Sequence, residues 1–245
     1  TGSNMVLSLA GNAECSDDEI VALFEALFSK IPAGQTHEQE LTRPSYQVTT
    51  LQIDKKIEQL HMNIAFEAIN ALSSERYVAG VFNAAFGGSD NSLLFQNIRE
   101  EQGLAYSVYS YQNNYFMSGL FHVDITVNPK QAARVVESVV KLIDEVKQTE
   151  FTDEVLDIYK NQIKIDQIMR SESAKARMSK NAKDLLYFGK PIPLEEMIQG
   201  ILSVTASELR EFAVKYLNIS KASFCSVGKL MKKEAKRIDA LLDGQ

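Results

Sequence analysis

The chain has 245 residues, 45% hydrophobic and 24% charged, with 26 basic side chains against 32 acidic ones for a net charge of −6. A chain of this length buries roughly 70% of its unfolded surface without needing disulfides or metals, and its acidic balance argues against a general nucleic-acid binder or a polybasic membrane anchor. No apolar run reaches the ~18 residues of a membrane-spanning helix, and the opening residues lack the basic and long apolar segments of a signal peptide.

Met5–Ala10 reads as a short apolar strand stopped by Gly11-Asn12, so the chain opens almost inside a core strand, as a piece of a longer protein would. Ser16 and Glu19 form a capping box. The helix behind it places Ile20, Leu23, Phe24, Leu27 and Phe28 on one stripe. Residues 33–45 are polar, carry Gly34 and Pro44, and read as a loop. Tyr46–Ile53 is β-rich. Leu60–Glu67 is a cleaner strand, with Leu60, Met62, Ile64 and Phe66 on one face and His61, Asn63 and Glu67 on the other.

Ser73-Ser74-Glu75 starts a helix that Phe86-Gly87-Gly88 breaks, and a second helix covers Ser92–Gln102 with Gly103 as its left-handed stop. Leu104–Tyr111 and Phe116–Val127 form a hairpin around Gln112-Asn113-Asn114. Its second strand puts Phe121, Val123 and Ile125 on one face and His122 and Asp124 on the other. Asn128-Pro129 opens a helix to Gln148. Helices follow over Asp153–Arg170, Ser173–Phe188, Pro193–Gly200 and Thr205–Tyr216, the last with a second capping box. Ala222–Val227 is a final strand, and Lys229–Leu242 a basic amphipathic helix. This order implies an α+β fold: a mixed, mostly antiparallel β-sheet with helices packed mainly on one face.

Familiar chemistry is absent. No phosphate-binding loop, dinucleotide fingerprint or nucleophile-elbow motif occurs. Cys15 and Cys225 belong to no paired motif, which supports neither a disulfide framework nor a cysteine zinc site and fits a reducing, cytoplasmic compartment. His37, with Glu38 and Glu40, begins like a zinc motif, but Leu41 breaks it and a solvated loop histidine is expected. His61 and His122 sit on polar strand faces. A metal site would need them to meet across the sheet with Glu67 or Asp124; packing or hydrogen-bonding roles are commoner.

The segment above background is Phe86–Ser110: helix stop, glycine turn, helix, glycine stop, strand. Arg99 and Tyr106 lie seven residues apart on either side of Gly103, so both can point to one spot. Gly87-Gly88-Ser89, Leu94-Phe95-Gln96-Asn97-Ile98-Arg99-Glu100 and Gly103-Leu104-Ala105-Tyr106-Ser107-Val108 together resemble the second half of the pitrilysin/insulinase-like zinc peptidases, which include the processing peptidases. The opening Asn4–Asn12 resembles the strand where that family's second domain begins. The resemblance implies one pitrilysin-like C-terminal half domain over 1–245, with its core at about 4–228 and a C-terminal helix at about 229–243. It also implies that Arg99 and Tyr106 bind the substrate backbone, donating to a developing oxyanion. Tyr106 is expected on the side of Leu104 and Val108, and the open sheet face is expected to be an apolar wall or partner surface.

The family's inverted zinc motif, His-x-x-Glu-His, appears nowhere in the chain. The expectation is therefore no catalytic residue and no metal ligand in this chain alone, and no peptidase activity from it in isolation. Zinc is expected in a complementary N-terminal half domain or partner subunit, with peptide as the substrate and a homo- or hetero-dimer as a further arrangement. The alternative is a non-catalytic homologue serving as scaffold or partner subunit in a hetero-dimer; the sequence upstream of Thr1 separates the two.

Overall fold

A computed structural model describes residues 2–12, 14–34 and 42–243. The His37–Glu40 segment lies outside the described residues. The chain divides into two compact units, one of residues 1–42 and 165–197, the other of 43–164 and 198–245.

The second unit holds the sheet. Its strands are β1 (Thr50–Ile53), β2 (Leu60–Glu67), β3 (Ala105–Asn114), β4 (Gly119–Val127) and β5 (Ser223–Val227), in the order β1-β5-β2-β4-β3. Only β1 and β5 run parallel; the other three pairs are antiparallel. The fold is therefore α+β with a mixed, mostly antiparallel sheet, as the alternation of apolar residues requires.

Register follows from burial. Leu60, Met62, Ile64 and Phe66 lie opposite Val127, Ile125, Val123 and Phe121, and all eight are buried. A one-residue slip would turn this row outward. Against it pack α2 (Arg76–Phe86), α3 (Ala132–Gln148) and α7 (Ala206–Tyr216). Phe82 is the hub: its ring lies 5.4 Å from Phe86, 5.7 Å from Phe121 and 5.1 Å from Phe212. Burying each such ring contributes about 1.5–3 kcal/mol. Helix α3 is amphipathic, with Val135, Val136, Val139, Leu142, Ile143 and Val146 buried.

The opposite sheet face carries no such row. His61, Asn63, Glu67, Leu120, His122, Asp124, Thr126, Tyr109 and Tyr111 all remain at least partly exposed there. Over β2, β3 and β4 this face is polar and aromatic, its residues contacting one another across strands, and on β1 the exposed Leu51 and Ile53 continue it as apolar side chains.

The hairpin turn also differs. Strand β3 continues through the residues expected to turn, and the chain reverses at 115–118, where the Tyr115 amide donates to the Ser118 carbonyl at 2.8 Å. Pairing of Asn113 with Leu120 and Asn114 with Gly119 favours extension over an early turn. The β-rich stretch from Tyr46 is a strand only over Thr50–Ile53. Tyr46 instead ties down the approach: its hydroxyl donates to the Ala65 carbonyl at 2.9 Å and accepts from the Ser223 amide at 3.0 Å.

In the first unit, Met5–Ala10 is not a strand and pairs with none among the described residues; the Ser8 hydroxyl donates to the Met178 carbonyl. A strand needs a neighbouring ladder to satisfy its backbone. Helix α1 (Asp17–Phe28) has the expected capping box, with the Ser16 amide donating to Glu19 at 2.8 Å. None of its stripe is fully buried, and Leu23 and Leu27 are 56% and 64% exposed. Helix α5 (Ala174–Phe188) starts at Ser173 and stops at Gly189. Helices α4 (Asp153–Glu172) and α6 (Leu194–Leu202) have residues in both units. No helix among the described residues is long and apolar enough to cross a membrane.

A buried carboxylate of the C-terminal helix α8 (Lys232–Leu242) helps secure α3. Buried Glu234 accepts from the Ala133 amide at 3.0 Å, at the N-terminus of α3, where backbone donors lack intrahelical partners. Glu234→Ala is expected to destabilise the chain by about 1–3 kcal/mol in urea unfolding, the cost of a buried unsatisfied donor. Glu234→Gln, which keeps an acceptor, should lose less.

Candidate functional site

The segment Phe86–Ser110 is a closed loop anchored at its base. The Ser110 amide donates to the Gly87 carbonyl at 2.9 Å, and the Ser110 hydroxyl donates to Asn83 Oδ1 at 2.9 Å. A Cβ at Gly87 would sit 2.7 Å from the Ser110 nitrogen and 2.6 Å from a Leu94 methyl. Glycine is required here for room, which is the physical content of the first glycine of the pair.

Between the anchors the predicted helix forms, but as a π turn over Phe95–Glu101. Its wide bonding shows where the Gln102 amide donates to the Asn97 carbonyl, five residues back, at 3.2 Å. Gln102 is held further by its side chain, which donates to Asn97 Oδ1 at 2.7 Å. Gly103 then takes φ +59°, a left-handed turn that side chains disfavour, and the Leu104 amide closes back on Ile98.

The π turn packs along β3 and carries Arg99. The Arg99 side chain is 46% exposed; its Nε is 3.8 Å from Glu100 and its guanidinium 4.7 Å from the Phe95 ring centre. A single long contact of this kind contributes little and leaves most of the guanidinium donors available. Tyr106 sits at a β-bulge. Ala105 pairs with Val127 and Ser107 with Thr126, so Tyr106 is left out of the ladder. The bulge breaks the alternation, so Tyr106 is 72% exposed while Leu104 and Val108 are buried. The expectation that it shares their side is corrected: the extra residue rotates the ring outward. Among the described residues its hydroxyl has no hydrogen-bond partner, and no bond links Arg99 to Tyr106.

His61 and His122 share the open face but do not meet. His61 lies opposite Thr126, and His122 opposite Ala65. Four residues of β2 thus separate them, roughly 13 Å along the strand. His61 contacts the Thr126 hydroxyl at 3.2 Å, and the His122 ring is held by Asn63 at 3.1 Å and Asn113 at 3.4 Å. Among the described residues no three His, Cys, Asp or Glu side chains converge as a metal site needs.

The sequence alone did not single out Asn63, Tyr109, Tyr111 or Asn113, which join His122 and Asp124 on this face. The Tyr111 ring stacks on His122 at 4.6 Å and 11°. Tyr111 is pushed up to about 12 by loss of water and by its hydrogen bond to Asp124. Tyr109 is raised for the same first reason, with the Asp124 charge adding to it. The signal was the period-two spacing of Tyr109, Tyr111 and Asn113, which gains meaning only once register puts them beside β4.

Burial lowers the His122 pKa below its ordinary 6.5, and nearby Asp124 only partly offsets this. The neutral imidazole is the folded form, so stability is full above pH ~6.5 and falls as pH drops through the folded pKa, where the unfolded chain binds the extra proton. An NMR titration of the His122 ring should show a midpoint below the ordinary histidine value of about 6.5, and Asp124→Asn should lower it further. A second expected outcome concerns the loop: Gly87→Ala should cost about 1–3 kcal/mol by overpacking, read by thermal unfolding.

The family model described as "Peptidase M16 inactive domain" matches residues 1–163. The chain is 29% identical to an uncharacterized zinc protease of Streptomyces coelicolor over 96% of its own length and 52% of that protein's. It is 30% identical to the uncharacterized zinc protease YmxG of Bacillus subtilis, over 87% of this chain and 51% of that one. The solved peptidase M16 inactive domain from Pseudomonas fluorescens superposes with a TM-score of 0.77 at 18% identity, over 89% of this chain and 52% of that one; this is a likeness of fold. The chain thus spans about half the length of the curated relatives it matches.

Proposed function

The chain belongs to the peptidase M16 inactive-domain family, and from that premise we propose that it is the substrate-binding, non-metal half of a zinc-dependent metalloendopeptidase acting on peptides or unfolded polypeptides. A zinc-bearing half domain, on the same polypeptide or a partner subunit, completes the active site. The half-length match to relatives named zinc proteases supports this division. Among the described residues no three side chains converge as a zinc site needs, and the chemistry proposed for this chain is that of its hydrogen-bond donors.

The observation that carries the reading is a pair of backbone irregularities bracketing Gly103. A π turn presents Arg99 and a bulge presents Tyr106, each with its polar tip open to solvent. Regular helix and strand geometry is less demanding than this, and such departures concentrate at functional sites. A guanidinium and a phenol both donate to a peptide carbonyl oxygen. As that oxygen gains charge in a tetrahedral intermediate, both hydrogen bonds strengthen, which lowers the barrier without any movement of the donors. The reading treats residues 1–245 as one half domain. It includes a reducing, cytoplasmic setting, which the two free, exposed cysteines support.

In the complete zinc-containing protein, Tyr106→Phe should lower turnover by ~10²–10³, about 2.7–4 kcal/mol, the usual cost of an oxyanion donor. Arg99→Ala should raise KM and lower kcat, and both variants should retain fold and zinc. Near-normal cleavage by Tyr106→Phe would overturn the assignment and favour a scaffold role in a hetero-dimer. The isolated chain, reloaded with zinc and desalted, should hold no stoichiometric metal by elemental analysis and cleave no peptide. One tight zinc with chelator-sensitive activity would contradict the division into halves.

A further inference from the structure

The first unit contains a concavity that the Arg99 and Tyr106 site does not use. It has a volume of about 660 Å³ and lies between the end of α4, helix α5 and the Pro191–Leu194 turn that leads into α6. Ligand pockets are commonly roughly 300–1,000 Å³. Ile192, Leu194 and Met197 supply apolar walls. The turn is held rigidly from below: Asp184 accepts from the Ile192 amide at 3.0 Å, and the Lys180 ammonium donates both to Asp184 and, at 2.6 Å, to the Ile192 carbonyl. Among the described residues Asp184 is the only carboxylate on the lining, and Lys180 neutralises it.

Three further cations border the cavity: Arg170, Arg177 and Lys183. All are exposed, and among the described residues none of their side chains has an ion-pair or hydrogen-bond partner. In a chain of net charge −6, three unpaired cations around one apolar-walled cleft create a local positive field that the cleft focuses. The first turn of α5, with Ala176 and Arg177 on the lining, adds the positive end of a helix dipole. Glu195 and Glu196, in the first turn of α6, are not on the lining.

We infer that this cavity is an accessory site for an acidic, amphipathic peptide segment, with glutamate or aspartate carboxylates on Arg170, Arg177 and Lys183 and an adjacent apolar side chain against Ile192, Leu194 and Met197. The inference rests on the proposed function only in taking a polypeptide as the ligand. Several cations spaced around the apolar wall suit carboxylates distributed along a chain better than one compact head group. The charge-assisted contacts set orientation, and the apolar wall supplies contact area. An acidic stretch held here would anchor a polypeptide by a part that is not cleaved.

The test uses the full 245-residue chain and a fluorescein-labelled unstructured peptide with glutamates flanking leucine and phenylalanine. Fluorescence anisotropy should show binding that weakens with added salt and is lost when the glutamates are replaced by lysine. The triple variant Arg170→Gln, Arg177→Gln, Lys183→Gln should weaken binding by on the order of tenfold or more, with an unchanged circular dichroism spectrum, since all three side chains are exposed. Met197→Ala should weaken it less, and Tyr106→Phe should leave it unchanged while slowing cleavage in the complete protein. Failure of the cleavage prediction and failure of this one are therefore separately visible. Equal binding of the acidic and lysine peptides, or an unaffected triple variant, would overturn the inference. Displacement of the peptide by an equimolar long-chain fatty acid would reassign the cavity to lipid and overturn it equally.

Discussion

A backbone hydrogen bond between Gly87 and Ser110 sets the geometry of the candidate site. It joins the end of α2 to edge strand β3 so closely that no Cβ fits at position 87. Everything between is then a loop of fixed span, and the chain must fit a helix, a reversal and a strand entry into it. A regular helix followed by a regular strand has only discrete ways to close such a loop. The widened π turn and the bulge are the two adjustments observed, and each re-aims one side chain. Arg99 and Tyr106 are thus exposed as a consequence of how the loop closes. Bulged and π-turned backbone is locally less favourable than its regular counterparts, and the buried contacts of Ile98, Leu94 and Phe86 hold it in place.

The sheet divides the second unit's chemistry by face. One face is a dry aromatic and aliphatic layer centred on Phe82 and Phe121, where shape decides stability. The other is a lattice of cross-strand polar contacts, with His122 held between Asn63 and Asn113 under the Tyr111 ring. Because the period of a strand is two, a single sequence alternation builds both faces at once. The polar face is consequently as register-dependent as the core.

The first unit is built on different terms. Its helix α1 exposes apolar residues, Leu23 and Leu27 among them, and the Ser8 hydroxyl ties the N-terminal stretch to the Met178 carbonyl of α5. In the Lys180–Asp184–Ile192 arrangement a buried carboxylate pins the turn between α5 and α6, and the cavity beside it keeps its shape because of that pin. Charge is also unevenly shared. The acidic chain as a whole carries unpaired cations at this cavity, while most of its recorded ion pairs lie in the second unit.

The α+β class, the two capping boxes, the core face of β2 and β4 and the Arg99–Tyr106 segment were all legible from local pattern. Capping depends on residues three apart, strand faces on alternation, and the loop motif on a contiguous run, so no distant contact is needed to read them. Tertiary structure decided what depends on partners remote in sequence. Met5–Ala10 has strand composition but meets no ladder among the described residues, so it forms no strand. His61 and His122 share a face but are kept apart by the register of β2 against β4. The outward turn of Tyr106 comes from one extra residue opposite Thr126, which no alternation in β3 alone announces. The basic cavity joins residues of three helices and a turn through helix packing, and sequence spacing carries no record of where such side chains converge.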